Sequence, residues 1–313
     1  MNARKRAPTP AEEGLAAKPS SLWTDTRRNI LRQRVAQVGL LLLGLLIVTA
    51  LAAPVLATHD PNAAVGIDEG LSPQQRGPCI HLFGCAADRP EHFLGIDRNG
   101  RDEYSRVIYG ARISLLVGVT TVGFAIVVGT LLGSIAGYAG GWADNIIMRL
   151  MDVLLAFPSL ILAIAMVTVL GPGLVNAALA IGIVAIPIYA RVMRASVLSI
   201  KERDFVVASR ALGESARGIL LRRILPNALT PLIVVGTLGI ASAILDVAAL
   251  SFLGLGAQPP LAEWGSMIGQ DRNQLFSDPH LIIVPGIALS LSVLGFNLFG
   301  DGLRDALDPR LNR

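Results

Sequence analysis

RALGESARGILLRRILPN, residues 210–227, carries four arginines, one acid, an internal glycine and a Leu-Pro-Asn ending, with no recognisable catalytic group. What it means depends on its flanks, and both are long and apolar. Runs near 36–57, 111–136, 153–170, 173–190, 231–256 and 281–300 each approach the roughly 20 residues needed to cross about 30 Å of hydrocarbon. The whole chain agrees with a membrane setting: of 313 residues 52% are hydrophobic and only 16% charged, and mean hydropathy is +0.57. Such a chain is too apolar for an ordinary soluble domain and too long for a single anchor. We therefore expect an all-α polytopic membrane protein with six transmembrane helices. Only Gly171-Pro172-Gly173 separates the third span from the fourth, as a tight external turn. Segment 36–57 is longer than a signal-peptide core and starts beyond a 35-residue tail, so it reads as a retained span.

Orientation follows from the cations, which gather on the cytoplasmic side. With the N-terminus inside, the tail 1–35 holds eight Lys or Arg, the loop 137–152 one, the loop 191–230 eight and the C-terminal tail 302–313 three, which is 20 of the 27. Six of the others lie in the first external stretch, 58–110 and its edge at Arg112, among eight acids. Both termini and the opening stretch are then cytoplasmic, and Trp23–Arg34 approaches the first span at headgroup depth. The net charge of +4 is explained by this bias and implies no nucleic acid.

Within the loop, Asp204 is a candidate cap for a short helix. Phe205, Ala208, Ser209 and Leu212 follow at i, i+3, i+4 and i+7, and Gly213 suits the position just past the helix end. Ser215 is a candidate cap for a second helix running to Leu225, with Pro226 marking a break before the next span. A small-residue face flanked by Arg203, Arg210 and Arg217 suits a groove on another protein; it equally suits lipid headgroups.

Elsewhere, Gly129, Gly133 and Gly137 recur every four residues and form a helix-packing seam. Pro158 and Pro187 fall inside apolar runs. Asp246 is the one acid well inside a predicted span, about 22 Å from its cytoplasmic end. Its two readings are a substrate contact or gate on the pathway, and a hydrogen bond to a neighbouring helix. Cys79 and Cys85 lie in the external stretch. They form a disulfide if that compartment is oxidising, and otherwise remain free thiols or join a metal site with His81 and His92, although no zinc-type spacing is present and no metal is assigned.

The three lysines, Lys5, Lys18 and Lys201, none of them after a glycine, leave no phosphate-binding P-loop. With no Gly-x-Ser-x-Gly or His-Glu-x-x-His either, the chain is read as a non-enzyme.

The loop resembles the "EAA" loop of permease subunits of ATP-binding-cassette importers. Val207-Ala208-Ser209 stand for Glu-Ala-Ala, Gly213 follows four residues on, and Leu225-Pro226 twelve after that. Val replaces the Glu and Ser the second Ala, so the small face and the glycine persist without the carboxylate. GIDRNGRDEYSRVIYGARISLLVG (95–118) and LSFLGLGAQPPLAEWGSMI (250–268) are similar to the second (C-type) permease subunit of dipeptide, oligopeptide and nickel importers, and the likeness spans about 35–310.

This resemblance implies the type I importer fold, with residues 111–301 as its transmembrane domain, in a bacterial or archaeal inner membrane. It implies a second homologous permease, two ATPase subunits that bind ATP and Mg, an extracytoplasmic substrate-binding protein, and no cofactor on this chain. Residues 205–213 would be the coupling helix, with Arg210 and Arg217 as electrostatic partners of the ATPase, and Ala211, Leu225 and Pro226 belong to the same coupling loop. Dipeptides, longer peptides and nickel complexes stay open as substrates, with peptides favoured. The rival reading is a secondary active transporter for a small solute, which would call for internal repeats and several buried ionisable groups. A membrane-tethered signalling protein explains six spans poorly.

Overall fold

In the computed structural model, residues 33–71 and 77–307 are described. The basic N-terminal tail with Trp23 and the end of the C-terminal tail lie outside them. The described residues are almost entirely helical: α1 (Arg34–Leu56), α2 (Glu103–Ala139), α3 (Gly141–Leu155), α4 (Ser159–Leu170), α5 (Leu174–Lys201), α6 (Asp204–Ala211), α7 (Ala216–Phe252), α8 (Trp264–Asp271) and α9 (His280–Leu307). Five are long and apolar enough to cross a membrane, and α3 with α4 make a sixth span if the bent pair is counted as one.

That pair corrects the third predicted span. Instead of one helix over 153–170, two helices meet at 91°. Pro158 has no N–H to give and its ring excludes helical backbone before it, so the chain turns there. Pro187, by contrast, is carried inside α5. α3 is a surface helix in which Met151 alone is buried, and it is laced to α5 by Asp144–Arg194 at 2.5 Å and Asp152–Arg191 at 2.6 Å.

The core lies where α2, α5 and α7 meet. Between lipid-facing helices there is no hydrophobic drive to associate, so close packing has to supply the attraction. The glycine seam provides it. A Cβ on Gly129 would come within 2.7 Å of Tyr189 Cβ and one on Gly137 within 2.9 Å of Val197 Cβ. Ala190, Met193 and Val197 on the facing side of α5 are fully buried. Lys201 Nζ closes the seam by donating to the Gly137 carbonyl at 3.2 Å. Around this centre α1 and α9 run antiparallel, with Gly302 against Ala36 and Gly39 against the Leu298–Phe299 backbone.

Two boundaries differ from the sequence reading. α2 begins at Glu103, eight residues before the expected 111, because Asp102 caps it by accepting the Ser105 N–H at 2.8 Å. Its charged first turn is buried: Arg106 donates to the carbonyls of Pro61 and Pro260 at 2.9 and 3.1 Å, whereas both carboxylate oxygens of Glu103 lack a hydrogen-bond partner among the described residues. α9 continues to Leu307, into the stretch read as tail.

The short helix α8 is a larger difference, since it lies between the last two spans where none was expected. Glu263 caps it, accepting the N–H groups of Gly265 and Ser266 at 3.0 and 2.8 Å. Gly265 and Gly269 press it against the backbone of Ala248 and Phe252 at the end of α7. Trp264 spans to α2, its indole N–H donating to the Val107 carbonyl at 3.0 Å.

Candidate functional site

α6 sits in the connection between α5 and α7. α5 ends at Lys201, and two residues later α6 begins. Arg203 occupies the N-cap position and Asp204 the first turn. This corrects the expected cap: Asp204 supports the helix by placing negative charge near its N-terminus, without a capping hydrogen bond. The other end follows its expected chemistry. Gly213 has φ +82°, its N–H donates to the Arg210 carbonyl, and the Glu214 N–H reaches back to the Ser209 carbonyl, each at 3.1 Å. These are the paired bonds of a Schellman cap.

Ser215 then caps the next helix, accepting the Gly218 N–H at 3.2 Å. Here the expected break at Pro226 is absent. The chain passes through a π-turn over Ile219–Ile224 and runs on to Phe252. In the π register the Leu225 N–H bonds to the Leu220 carbonyl. The wider turn accommodates Pro226, which lacks an N–H, near the start of the α-helical stretch.

Of α6 only Val206 is buried, at 0% exposure. Phe205 and Val207 are exposed, and so is Leu212 at 87%. Ala208, Arg210 and Ala211 also face outward, and Ser209 is half-buried with its hydroxyl donating to the Phe205 carbonyl at 2.9 Å. The structure therefore gathers Phe205, Ala208, Ser209, Arg210, Ala211, Leu212 and Gly213 on one projecting element. Leu225 and Pro226 belong instead to α7, where Leu225 packs on the core. Arg217 is exposed beside them, and Arg223 pairs with Glu214 at 3.1 Å.

α6 is joined at both ends to helices that line an open-sided cavity of about 470 Å³. Its walls include Ser159, Tyr189 of α5, and Ser242 and Asp246 of α7. Asp246 is half-buried. Among the described residues no hydrogen bond or ion pair to its carboxylate is found.

At the opposite end of the bundle, Cys79 and Cys85 are placed as a disulfide with Cα atoms 5.4 Å apart. His81 turns its Nε2 to the Arg89 carbonyl at 2.8 Å. These two observations set aside the cysteine–histidine metal reading. Nearby, Asp271 at the end of α8 is 2% exposed. Burial, reinforced by Asp97, pushes its carboxyl up from 3.8 to about 6, against the pull of Arg98, Arg101 and Arg106. Burial also raises Glu263, partly offset by the two backbone N–H groups it caps. Sequence reasoning missed both acids; the glycines at 265 and 269 and the acid two residues before the first of them were the available signal.

The family described as binding-protein-dependent transport system inner membrane component matches residues 129–313, and the N-terminal transmembrane domain of oligopeptide transport permease C matches 21–75. The dipeptide transport system permease protein DppC of Alkalihalophilus pseudofirmus is 43% identical over 311 residues, covering 99% of this chain and 96% of that protein. The di/tripeptide transport system permease protein DppC of Pseudomonas aeruginosa is 44% identical over 314 residues, 99% of each. The glutathione transport system permease protein GsiD of Pectobacterium atrosepticum is 42% identical over 289 residues, 92% of this chain and 91% of that one.

Among solved structures, an inward-facing MetNI methionine ABC transporter superposes with a TM-score of 0.51 at 21% identity, over 64% of this chain and 96% of that one. At that identity the likeness concerns the type I importer fold alone. Family membership leaves the secondary-transporter alternative without support. It also places ATP on separate ATPase subunits. A multi-pass helical bundle that matches this family over more than half its length, with relatives above 40% identity end to end, belongs to the non-catalytic inner-membrane permease subunits of ATP-binding-cassette importers.

Proposed function

We propose that this chain forms half of a peptide pathway and is driven through α6. The observation that carries the reading is the projection of α6, an eight-residue helix with one buried side chain, fixed at both ends to the helices that line the cavity. The relatives named above are named for dipeptides, di/tripeptides and glutathione, which favours a peptide substrate over a nickel complex. A second homologous permease completes the pathway, two ATPases carry ATP and Mg, and an extracytoplasmic binding protein delivers the peptide.

In this reading 1–35, 191–230 and 302–313 are cytoplasmic, while the stretch 58–110 and the turn at Gly171–Gly173 face outward. An oxidising outer compartment keeps Cys79 and Cys85 paired. α6 seats in an ATPase groove through Phe205, Ala208 and Leu212, with Arg210 and Arg217 meeting acidic groups at its rim. ATP-driven closure of the ATPases moves α6. The two-residue joint Glu202-Arg203 passes that motion into α5, and Gly213–Ser215 passes it into α7. Tyr189 lies about 18 Å along α5 from Lys201, so a tilt at the joint displaces the cavity wall and alternates its access. Asp246, on the α7 wall of the cavity, meets the cationic amino group of a passing peptide.

The test uses the co-expressed complex with Cys79→Ser and Cys85→Ser, once this background is shown to transport, and adds Ala211→Cys. A crosslink from position 211 to an ATPase subunit that changes with nucleotide, and loss of transport on locking it, is the expected result. An assembled, active complex with no such crosslink would refute the coupling role and return α6 to the membrane surface.

A further inference from the structure

Three segments distant in sequence meet at the end of the bundle opposite α6. His59 follows α1, Glu69 closes the short helix Val65–Asp68, and His92 pairs its backbone with Cys79 in both directions at 2.9 Å. Beneath them is Asp102, the fully buried cap of α2.

His92 is 3% exposed and held from both sides. Its Nδ1 lies 2.7 Å from Asp102 Oδ1, and its Nε2 lies 3.0 Å from Glu69 Oε2. The His59 ring is 4.9 Å from the His92 ring, centre to centre. His59, Glu69 and His92 each offer one ligand atom, and these atoms all lie within 4.8 Å of one another.

Zinc bonded to nitrogen and oxygen at about 2.0–2.2 Å in a tetrahedron holds neighbouring ligand atoms roughly 3.3–3.5 Å apart. One observed spacing, 3.0 Å between His92 Nε2 and Glu69 Oε2, lies just below that value, and none of the others exceeds 4.8 Å. The side chains that would have to adjust, His59 and Glu69, are the accessible pair, at 24% and 29% exposure. The anchored member carries the outer carboxylate typical of a metal-bound histidine: Asp102 fixes the Nδ1 side and leaves Nε2 for the metal. Asp102 is itself held through Oδ2 by the Ser105 N–H at 2.8 Å.

We propose that His59, Glu69 and His92 form a three-ligand site for a zinc-class divalent cation, with Asp102 as the positioning residue for His92. Two imidazoles with one carboxylate suit zinc over magnesium or calcium, which favour all-oxygen sets. A cation there would clasp the connection after α1 and the disulfide-bearing hairpin onto the first turn of α2. Spacings of ten and 23 residues between the ligands match no zinc motif, which is why the sequence did not disclose the site.

The experiment uses the full transporter complex, stripped with chelator and free of nucleotide. It is titrated with zinc alone and then with calcium or magnesium alone, and bound metal is counted after desalting. His59→Ala and Glu69→Gln leave the Asp102–His92 pair intact and so keep the fold; Asp102→Asn tests positioning. One zinc per chain attributable to the site, lost in His59→Ala and Glu69→Gln and weakened about 10–100-fold in Asp102→Asn, is the expected result. No zinc uptake by the unaltered complex, uptake unchanged in His59→Ala and Glu69→Gln, or displacement by equimolar calcium would overturn the proposal and leave His92 as an ion-paired latch.

Discussion

Replacing Gly133 with Ala tests whether the contact between α2 and α5 depends on backbone approach. A Cβ built there meets the Ala190 carbonyl oxygen first, then Met193 Cβ at 2.9 Å and the Ala190 carbonyl carbon at 3.1 Å. Comfortable carbon contacts lie at about 3.5–4.0 Å, so the helices must part by roughly half an ångström or more. The Ala190 backbone cannot rotate aside, and overpacking of this kind costs about 1–3 kcal/mol. Helix propensity works the other way, favouring Ala by about 1 kcal/mol.

The control is Gly123→Ala on the same helix, where a new Cβ would meet nothing within 4 Å and only the propensity gain applies. The two variants should therefore differ by about 1–3 kcal/mol, the propensity gain being common to both. At about 2.1 cal/mol/K of unfolding entropy per residue, the chain's melting temperature shifts by about 1.5 °C per kcal/mol, so the Gly133→Ala complex should melt roughly 1–5 °C below the Gly123→Ala complex. Apparent melting temperatures of the two complexes, taken in one detergent at one heating rate, measure this. If Gly133→Ala melts with or above Gly123→Ala, the seam is not sterically tight and the reasoning fails.

Two further outcomes follow from single residues. Gly213→Ala forces a Cβ into the left-handed region in otherwise open space, costing about 1–2 kcal/mol; transport per ATP hydrolysed should fall in Gly213→Ala and recover partly in Gly213→Asn, and equal coupling in both would count against the cap. Asp271 binds its proton more tightly folded, at about 6, than at its ordinary 3.8. Its stabilising contribution is thus full below about pH 4 and lost as pH rises through 6, by at most about 3 kcal/mol. Asp271→Asn should flatten the fall in melting temperature between pH 4.5 and 7, and an unchanged slope would show that Asp271 does not titrate in that window.

The features legible in the sequence are those whose physics is local. Twenty apolar residues in a row have only the membrane to go to, and the positions of Gly213 and Ser215 follow from backbone conformation and capping within a few residues. The seam at Gly129, Gly133 and Gly137 needs only helical periodicity to be seen, although its partner, Ala190 to Val197 on α5, does not. The charged residues 101–106 read as loop because an isolated helix there would bury Arg106 unpaired. Pro61 and Pro260 reach Arg106 from segments 45 and 154 residues away, and with the Asp102 cap they let α2 begin at Glu103. α8 is too short to announce itself by hydropathy, and it exists because Gly265 and Gly269 let it rest on α7. The cluster of His59, Glu69 and His92 belongs wholly to tertiary structure. Hydropathy and capping act along the chain, so the sequence alone determines five of the spans and the C-terminal cap of α6; the bend at Pro158, partners for buried charge and ligands for a cation depend on contacts from across it, and only folding brings them together.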